Sequence, residues 1–442
     1  MDAILLARLQ FALTVGFHFL FPPISIGLGW MLVIVETLGW RRADDTYVRM
    51  GRFFAKLLAL TFAVGVATGI VMEFQFGTNW ARYSTFVGDI FGAPLAAEGV
   101  FAFFLESGFL GLYLFGRGRV SKGVHWFSAL MVAIGATISA FWILIANSWQ
   151  QTPAGFEVVG GRAVLTSFVD AVFNPSMGVR FFHTFVAALV AGAFFMAGVS
   201  AWQMLKGKGG DVAPKALRLS VLFGLLFSIL AAFPTGHEHA KQVARDQPEK
   251  FAAIEGLYET QASAPLVVFG VQNGGTPPGL QAKIEIPSLL SWMAFGDVTA
   301  TIKGIQEFPA DQIPPLWLTF VSFHNMVLLG LLFMAVAGLG VLLLWRGRLD
   351  TARWYQWLVL VVSPLPLAAC QFGWVAAEVG RQPWAVYKVL RTSQSVSVSV
   401  GAPEILFSIL LFGTIYLLLG ALYLFLLFRE AGHGPEPKKE VA

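Results

Sequence analysis

The sequence has almost no cysteine and little charge, and both shortages exclude whole classes of protein. A single thiol, Cys370, stands among 442 residues. Disulfides, cysteine-based zinc sites, iron–sulfur clusters and covalently attached c-type haem all need more thiols than that. Only 13% of the residues are charged, while 56% are hydrophobic and the mean hydropathy is +0.69. A water-soluble protein could not bury so much apolar surface, so the composition predicts a polytopic membrane protein.

Two further features are absent from the sequence: a nucleic-acid-binding pattern and a cleavable leader. The sequence has no Gly-rich phosphate-binding loop and no basic stripe with interleaved aromatic residues, so nothing in it supports nucleic-acid binding. The first residues, MDAILLARLQ, carry neither a basic leader nor a cleavage site. We therefore expect them to open a first helix that is retained in the protein.

What the sequence does contain is a series of long apolar runs. About nine of them can cross a bilayer at roughly 20 residues each. They lie at 8–36, 53–75, 94–115, 123–147, 179–205, 216–233, 314–345, 354–378 and 403–428. The prediction is an all-α fold of two four-helix bundles plus a peripheral ninth helix. One membrane-embedded domain would cover 1–430, with a large extramembrane loop at 234–313 and a tail at 431–442.

The connections between the runs alternate in charge. Every second connection is short and basic, whereas those near 76–93, 148–178, 234–313 and 379–402 have few Lys and Arg residues for their length. Basic loops stay on the cytoplasmic side of a membrane. The N-terminus is therefore predicted outside and the C-terminus in the cytoplasm.

Several ionisable residues interrupt the apolar runs. Each costs about 2.5–3.5 kcal/mol at the middle of a membrane helix, and such residues usually face the interior of a bundle. The set is His18, Glu73, Glu98, Glu106, His183, His324 and Glu378. Most of these positions fall in the outer half of the membrane, with Glu98 expected within the first turn or two of its helix.

Each of these residues alone also has an ordinary interpretation. A histidine in a span can simply bond a neighbouring backbone, and Met326 can be a packing residue. His, Met and Glu positions on separate helices are nevertheless what haem irons in a bundle need. A secondary transporter would also place His and Glu within its helices, so the residues alone leave both classes open.

Longer motifs then match a known family along nearly the whole chain. They are RLQFALTVGFHFLFPP, EGVFAFFLESGFLGLYLFG, NSWQQTPAGF, RFFHTF, QPEKFAAIEGLYETQ, FVSFHNM and GWVAAEVGRQPW. With these motifs the chain resembles subunit I of the cytochrome bd-type quinol oxidases. The resemblance implies a terminal oxidase in the bacterial cytoplasmic membrane. Such an enzyme oxidises quinol at the outer face and reduces dioxygen to water with cytoplasmic protons, without pumping. A haem b electron-transfer subunit without oxygen chemistry is the further alternative.

The resemblance also implies haem ligands. His183 and Met326 would be the two axial ligands of a low-spin haem b. His18 and Glu378 would each bind one of two other haems, a high-spin haem b and a haem d, or a further haem b in its place. Which of the two residues binds which haem stays open.

Other positions receive roles from the same resemblance. Glu98 would lie beside the oxygen-reactive haem, and Glu106 and Ser139 would pass protons to it. Trp374 would lie against the haems, and Arg381 would pair with a haem propionate. A second membrane subunit, and a small single-helix subunit beside it, would complete the enzyme.

The outer loop carries the predicted quinol site. Lys250 and Glu255 match the family positions linked to quinol oxidation, although without the motif they would read as a solvated helix surface. His324 stands where the family commonly has arginine, and it is expected to contact a propionate or the quinol. The loop is of the shorter class, which includes relatives with altered haem content or cyanide resistance. His237 and His239 in GHEHA form at best a weak metal pair.

Overall fold

Helices dominate the computed structural model, which describes residues 2–273 and 279–438. The α-helices are α1 (Ala3–His18), α2 (Pro22–Arg42), α3 (Asp45–Asn79), α4 (Ala81–Ala97), α5 (Phe104–Phe115), α6 (Lys122–Gln151), α7 (Phe168–Val172), α8 (Met177–Leu205), α9 (Val212–Leu230), α10 (His237–Asp246), α11 (Pro248–Glu255), α12 (Leu289–Phe295), α13 (Leu316–Trp345), α14 (Arg353–Val362), α15 (Leu365–Val379) and α16 (Ala402–His433). π-Helical segments at Glu98–Phe103 and Ala231–Gly236 connect α4 to α5 and α9 to α10.

Nine helical stretches in this described part of the chain are long and apolar enough to cross a membrane. We number them spans 1 to 9: Ala3–Arg42, Asp45–Asn79, Ala81–Phe115, Lys122–Gln151, Met177–Leu205, Val212–Asp246, Leu316–Trp345, Arg353–Val379 and Ala402–His433. The predicted class, an all-α polytopic membrane protein, is confirmed.

Short antiparallel strand pairs lie only in connections. They are β1 (Phe156–Val159) with β2 (Arg162–Leu165), β3 (Gln261–Ala262) with β6 (Thr301–Ile302), β4 (Leu266–Asn273) with β5 (Gly279–Ile286), and β7 (Trp384–Val386) with β8 (Leu390–Arg391). Short 3₁₀ turns at Ile305–Glu307, Ala310–Gln312 and Thr392–Gln394 complete the connections.

The spans pack in two groups. Spans 1 to 4 contact one another through α2, α3, α5 and α6, and spans 5 to 8 through α8, α9, α13, α14 and α15. The two groups meet where α2 crosses α8, at Gly27 and Gly192, where a Cβ on either glycine would collide with the other helix's backbone. Only small residues allow membrane helices to approach so closely. Span 9 packs mainly on α1 and α3 and has few buried residues.

Breaks in the spans fall at functional candidates. Span 1 is interrupted after His18, and α2 restarts with Pro22 and Pro23, which have no backbone N–H to continue the helix. Span 3 changes to π-helix at Glu98. π-Bulges of this kind are frequent at functional sites.

The helix boundaries correct two expectations. The predicted outer connection at 76–93 is largely the helix α4, so span 3 begins at Ala81 rather than near residue 94. Glu98 consequently lies in the middle of a helical stretch and not in its first turns. Span 6 likewise continues to Asp246, so the predicted loop at 234–313 begins inside a helical stretch.

The rest of that loop is a folded unit with its own small core. In it α10 and α11 are separated at Gln247, and a hairpin of β4 and β5 follows. Side chains from α10, α11, α12 and β6 pack together in this core. It contains Val243, Phe251, Ile254, Leu257, Leu290 and Ile302. The loop therefore presents buried side chains at fixed positions above the spans.

Candidate cofactor and quinol site

Glu378 is the centre of a buried network at the end of span 8. Asn147 Nδ2 donates to Glu378 Oε1 over 2.9 Å, and Arg381 Nη2 donates to Oε2 over 2.5 Å. Arg180 donates in turn to the Asn147 side-chain oxygen. The carboxylate in the GWVAAEVGRQPW motif is thus held by α6, by α8 through Asn147, and by the turn after α15.

Lys250 joins this network from the outer loop. Its Nζ donates to Gln151 Oε1 over 3.1 Å and to the Ala377 carbonyl over 3.0 Å. Only 4% of the residue is exposed, and burial, followed by repulsion from Arg180, holds the Lys250 pKa well below its usual value. Lys250 therefore does not lie on a solvent-exposed helix surface.

These residues form what we call the outer polar cluster. Its members are Asn147, Gln151, Arg180, Lys250, Glu378 and Arg381.

Basic side chains outnumber carboxylates in the outer polar cluster. Arg381 bonds the single carboxylate, Glu378, directly, whereas Arg180 reaches it through Asn147, and Lys250 bonds its neighbours from α11; all three are buried. In the part of the chain that the structure describes, Nε of Arg180 and Nε of Arg381 have no hydrogen-bond partner. Buried N–H donors and charges left unpaired are costly. The cluster therefore fits additional carboxylates, and haem carries two of them as propionates.

His18 and His183 are oriented in the same way. Nδ1 of His18 lies 3.0 Å from Thr68 Oγ1, and Nδ1 of His183 lies 3.3 Å from Thr235 Oγ1. Each threonine hydroxyl already donates to a backbone carbonyl of its own helical segment, so its lone pair faces the ring. Nδ1 then carries the proton and Nε2 keeps its lone pair. A histidine that binds a metal through one ring nitrogen usually donates the N–H of the other to a nearby acceptor, as these two do.

Met326 in span 7 faces span 8, and Trp374 in span 8 faces span 1. A Cβ placed on Gly373 of α15 would come within 2.8 Å of Met326 Sδ, so the thioether lies directly over that helix. Trp374 stacks on Phe19, just after His18, with ring centroids 5.4 Å apart. The π-helical segment that carries Thr235 contacts both α8 and α13, which carry His183 and Met326.

Glu98, Ser139 and Glu106 lie together between α5, α6 and the π-helical segment. Ser139 Oγ donates to Glu98 Oε1 over 2.7 Å. Glu106 is buried, and its Cα lies 3.1 Å from where a Cβ on Gly135 would stand. The structure thus brings the predicted proton-transfer residues to one helix interface.

Glu255 lies at the last position of α11 and is buried. Among the described residues its Oε2 atom has no hydrogen-bond partner, and burial raises its pKa to about 8. Lys250 and Glu255 are therefore both buried on one short helix, unlike the residues of a solvated surface.

His324 has different surroundings from those expected. Its Nε2 lies 2.8 Å from the Val267 carbonyl oxygen, and its Nδ1 lies 3.0 Å from the Phe320 carbonyl oxygen. Its contacts are with the hairpin and its own helix. Contact with a propionate or with quinol stays a prediction.

Sequence reasoning did not assign several members of the site. Arg180, three residues before His183 in an apolar run, could have been found by its charge alone. Thr68, Thr235 and Gln151 carry no such signal. His239 stands next to His183, with ring centroids 5.5 Å apart. No group of three or more potential metal ligands occurs within the described residues, and His237 and His239 gain no third ligand there.

The fold and these sites define a polytopic helical membrane protein with side chains suited to hold haem. The family model of cytochrome bd terminal oxidase subunit I matches residues 6–435, and the chain belongs to that family.

Curated relatives and a solved structure agree with this assignment. The chain is 41% identical to the Bacillus subtilis protein "Cytochrome bd ubiquinol oxidase subunit 1" over 446 residues, covering 99% of this chain and 95% of the relative. It is 36% identical to the Escherichia coli "Cytochrome bd-II ubiquinol oxidase subunit 1", covering 98% and 97%. The bd oxidase structure from Geobacillus thermodenitrificans superposes with a TM-score of 0.91 at 32% identity, covering 98% and 99%.

Proposed function

We propose that the chain is the catalytic subunit of a terminal oxidase that oxidises quinol at the outer face of the bacterial cytoplasmic membrane. It reduces dioxygen to water with protons taken from the cytoplasm. The observation that carries the proposal is the outer polar cluster, where three buried basic side chains surround one carboxylate and two arginine Nε–H donors have no partner among the described residues. Family membership and relatives named as ubiquinol oxidases support it. Another relative is named as a putative menaquinol oxidase, so the proposal stops at quinol.

Four residues would hold the haems. His183 and Met326 would bind a low-spin haem b, while His18 and Glu378 would each bind one further haem, of type b or d. When bound, haem would supply one-electron transfer and the chemistry of dioxygen reduction. The hydroxyls of Thr68 and Thr235 keep each histidine's Nε2 lone pair available. Arg381 and Arg180 would offer propionates their Nε–H donors, which have no partner in the described part of the chain.

Quinol oxidation is assigned to α11. Each quinol releases two protons with its electrons, and a carboxylate whose pKa lies near the working pH is an effective acceptor. Glu255 has a buried oxygen with no hydrogen-bond partner among the described residues, and it would face a quinol hydroxyl. Lys250 would stabilise the quinol oxygen as negative charge develops on it, and it also connects α11 to the outer polar cluster.

Protons for water formation would reach the site through the interior of spans 3 and 4. Glu106 would hold a proton and pass it toward Glu98, whose carboxylate Ser139 orients. Proton movement inward carries charge across the membrane, worth about 2.3 kcal/mol per charge per 100 mV. This charge movement generates a proton motive force without a pumping step.

The proposal also covers assembly and orientation. The named relatives are subunits 1 of their oxidases, which implies a second subunit, and we propose a small single-helix subunit beside it. We propose, on the strength of the basic loops, that the N-terminus lies outside and the C-terminus in the cytoplasm.

Oxygen consumption by the purified complex with a reduced quinol tests the function. The proposal expects a coloured protein whose haem bands change on reduction and whose oxygen consumption requires quinol. A colourless protein would support the secondary transporter instead. A coloured protein that accepts electrons but consumes no oxygen would support the haem b electron-transfer subunit.

A further inference from the structure

His324 in α13 connects the membrane part of the chain to the outer hairpin. Its Nε2 lies 2.8 Å from the carbonyl oxygen of Val267 in β4. A carbonyl oxygen only accepts hydrogen bonds, so we assign the ring proton to Nε2, the nitrogen with the shorter contact, which donates to Val267. His324 is thus a side chain of a membrane span that holds the backbone of the hairpin directly.

One residue, Phe320, connects the same ring to the helix that carries Glu255. His324 lies against Phe320, one turn earlier in α13, with ring centroids 4.0 Å apart. Phe320 in turn lies against Gly256, the residue that follows Glu255. A Cβ on Gly256 would come within 2.8 Å of Phe320 Cε2 and 2.6 Å of Leu280 Cδ1 in β5.

Gly256 therefore marks the point where three elements meet. It ends α11 in the left-handed region at φ 65°, which glycine adopts without strain, and it leaves room for both Phe320 and Leu280. The C-terminal end of α11, the hairpin and α13 converge there. His324 bonds one of these elements and packs on the residue that supports another.

We propose that His324 is a positioning residue that holds the β4–β5 hairpin and the Glu255 end of α11 against α13. It thereby sets how a quinol meets Glu255. This inference rests on the proposed role of Glu255 in quinol oxidation.

The position of both ring nitrogens favours this role over a contact with a haem propionate. Nε2 is used by Val267, and Nδ1 lies 3.0 Å from the Phe320 carbonyl. With the proton of the neutral ring on Nε2, Nδ1 has none, so no N–H is left to donate to a carboxylate. Met326, two positions on, faces α15 at Gly373, on another side of the helix.

The test compares His324→Phe with His324→Gln in the complete oxidase. Phenylalanine keeps a ring against Phe320 but has no donor, whereas the glutamine amide can still donate to Val267. A buried hydrogen bond contributes about three- to tenfold in an equilibrium constant. We expect His324→Phe to raise the quinol KM about three- to tenfold with kcat nearly unchanged. His324→Gln should restore most of that loss.

Asn325→Leu is the matched control. Asn325 is the next residue in α13, and its amide donates to Val321 within the same helix rather than to the loop. Its replacement should leave the quinol KM at the wild-type value. Tryptic cleavage at Lys283 in β5 gives a second measurement and should be faster in His324→Phe than in either other variant.

Three results would decide against the proposal or its premise. An unchanged KM together with unchanged cleavage at Lys283 would overturn the positioning role. A shifted low-spin haem potential with an unchanged KM would also overturn it, in favour of a propionate contact. Faster cleavage in a complex whose wild type never oxidises quinol would confirm the anchor and overturn the proposed function.

Discussion

Two buried polar clusters lie at opposite ends of the spans, and they balance their charges differently. The inner polar cluster consists of Glu36, Tyr113, Arg117 and His125, at the end predicted to face the cytoplasm. Tyr113 donates to Glu36 Oε1 over 2.9 Å, and Arg117 donates to the same oxygen. His125 Nδ1 lies 3.7 Å from Glu36 Oε2, and its Nε2 lies 3.0 Å from the Tyr113 carbonyl. One arginine thus meets one carboxylate.

The outer polar cluster has no such balance. Three buried basic side chains surround the one carboxylate of Glu378, and the Nε atoms of Arg180 and Arg381 have no partner among the residues described. A buried charge without an opposite charge nearby is costly, so another group must supply that opposite charge. The comparison supports the proposal that the outer cluster receives anionic groups from a cofactor, whereas in the inner cluster Glu36 and Arg117 pair with each other. Each prediction below perturbs one cluster and uses the other as its reference.

The largest expected effect is on the stability of the inner cluster. Glu36→Gln removes the partner of Arg117 and leaves a buried charge unpaired. Breaking a buried pair in this way costs about 3–5 kcal/mol. Thermal unfolding of the purified complex measures the loss, and haem content per folded protein should stay at the wild-type level. Loss of haem at unchanged stability would show that the two clusters do not differ as described.

Arg381→Gln is the corresponding change in the outer cluster. It removes a charge that bonds Glu378 and is proposed to meet a propionate. Truncating one buried charge partner costs about 2–5 kcal/mol. We expect that cost to appear as weaker haem binding, measured by haem titration of the complex. Wild-type haem affinity in this variant would refute the proposed acceptance of propionates by the cluster.

Glu106→Gln tests the region between the clusters. Glu106 lies seven residues before Tyr113 on α5, about 10 Å along the helix. Glutamine cannot carry the proton, so oxygen consumption should fall about 100-fold, within the range of general acid–base catalysis. Haem spectra should remain as in the wild type. Full turnover in this variant would exclude Glu106 from proton transfer.

The smallest effect is a pH dependence at Glu255. Its pKa is raised by burial to about 8, so the carboxyl carries its proton below that pH and cannot accept another. At limiting quinol the rate should rise about tenfold per pH unit toward pH 8 and level off above it. Glu255→Gln should abolish that rise. A wild-type profile flat from pH 6 to 9 would contradict the assignment of Glu255 as the base.

The sequence predicts the spans and marks most of the candidate site residues because a charge in an apolar run is visible without a structure. His18, Glu106, His183 and Glu378 were all found in this way. The helix α4 was missed because Arg82, Ser84 and Asp89 lower its hydropathy to that of a loop.

The partners of the site residues could not be predicted. Asn147 and Glu378 are 231 residues apart, and Lys250 and Gln151 are 99 apart. Such contacts depend on how spans pack, which local patterns do not encode. The β4–β5 hairpin could not be predicted because strand formation depends on packing against the rest of the folded loop.

The most direct test of the central claim is pyridine haemochrome analysis of the purified complex, which counts haem by type. We predict more than one haem for each copy of the chain, including haem b, as the ligand positions on separate spans require. A complex that contains no iron porphyrin would contradict the account, because the surplus buried cations of the outer polar cluster would then have no anionic partner.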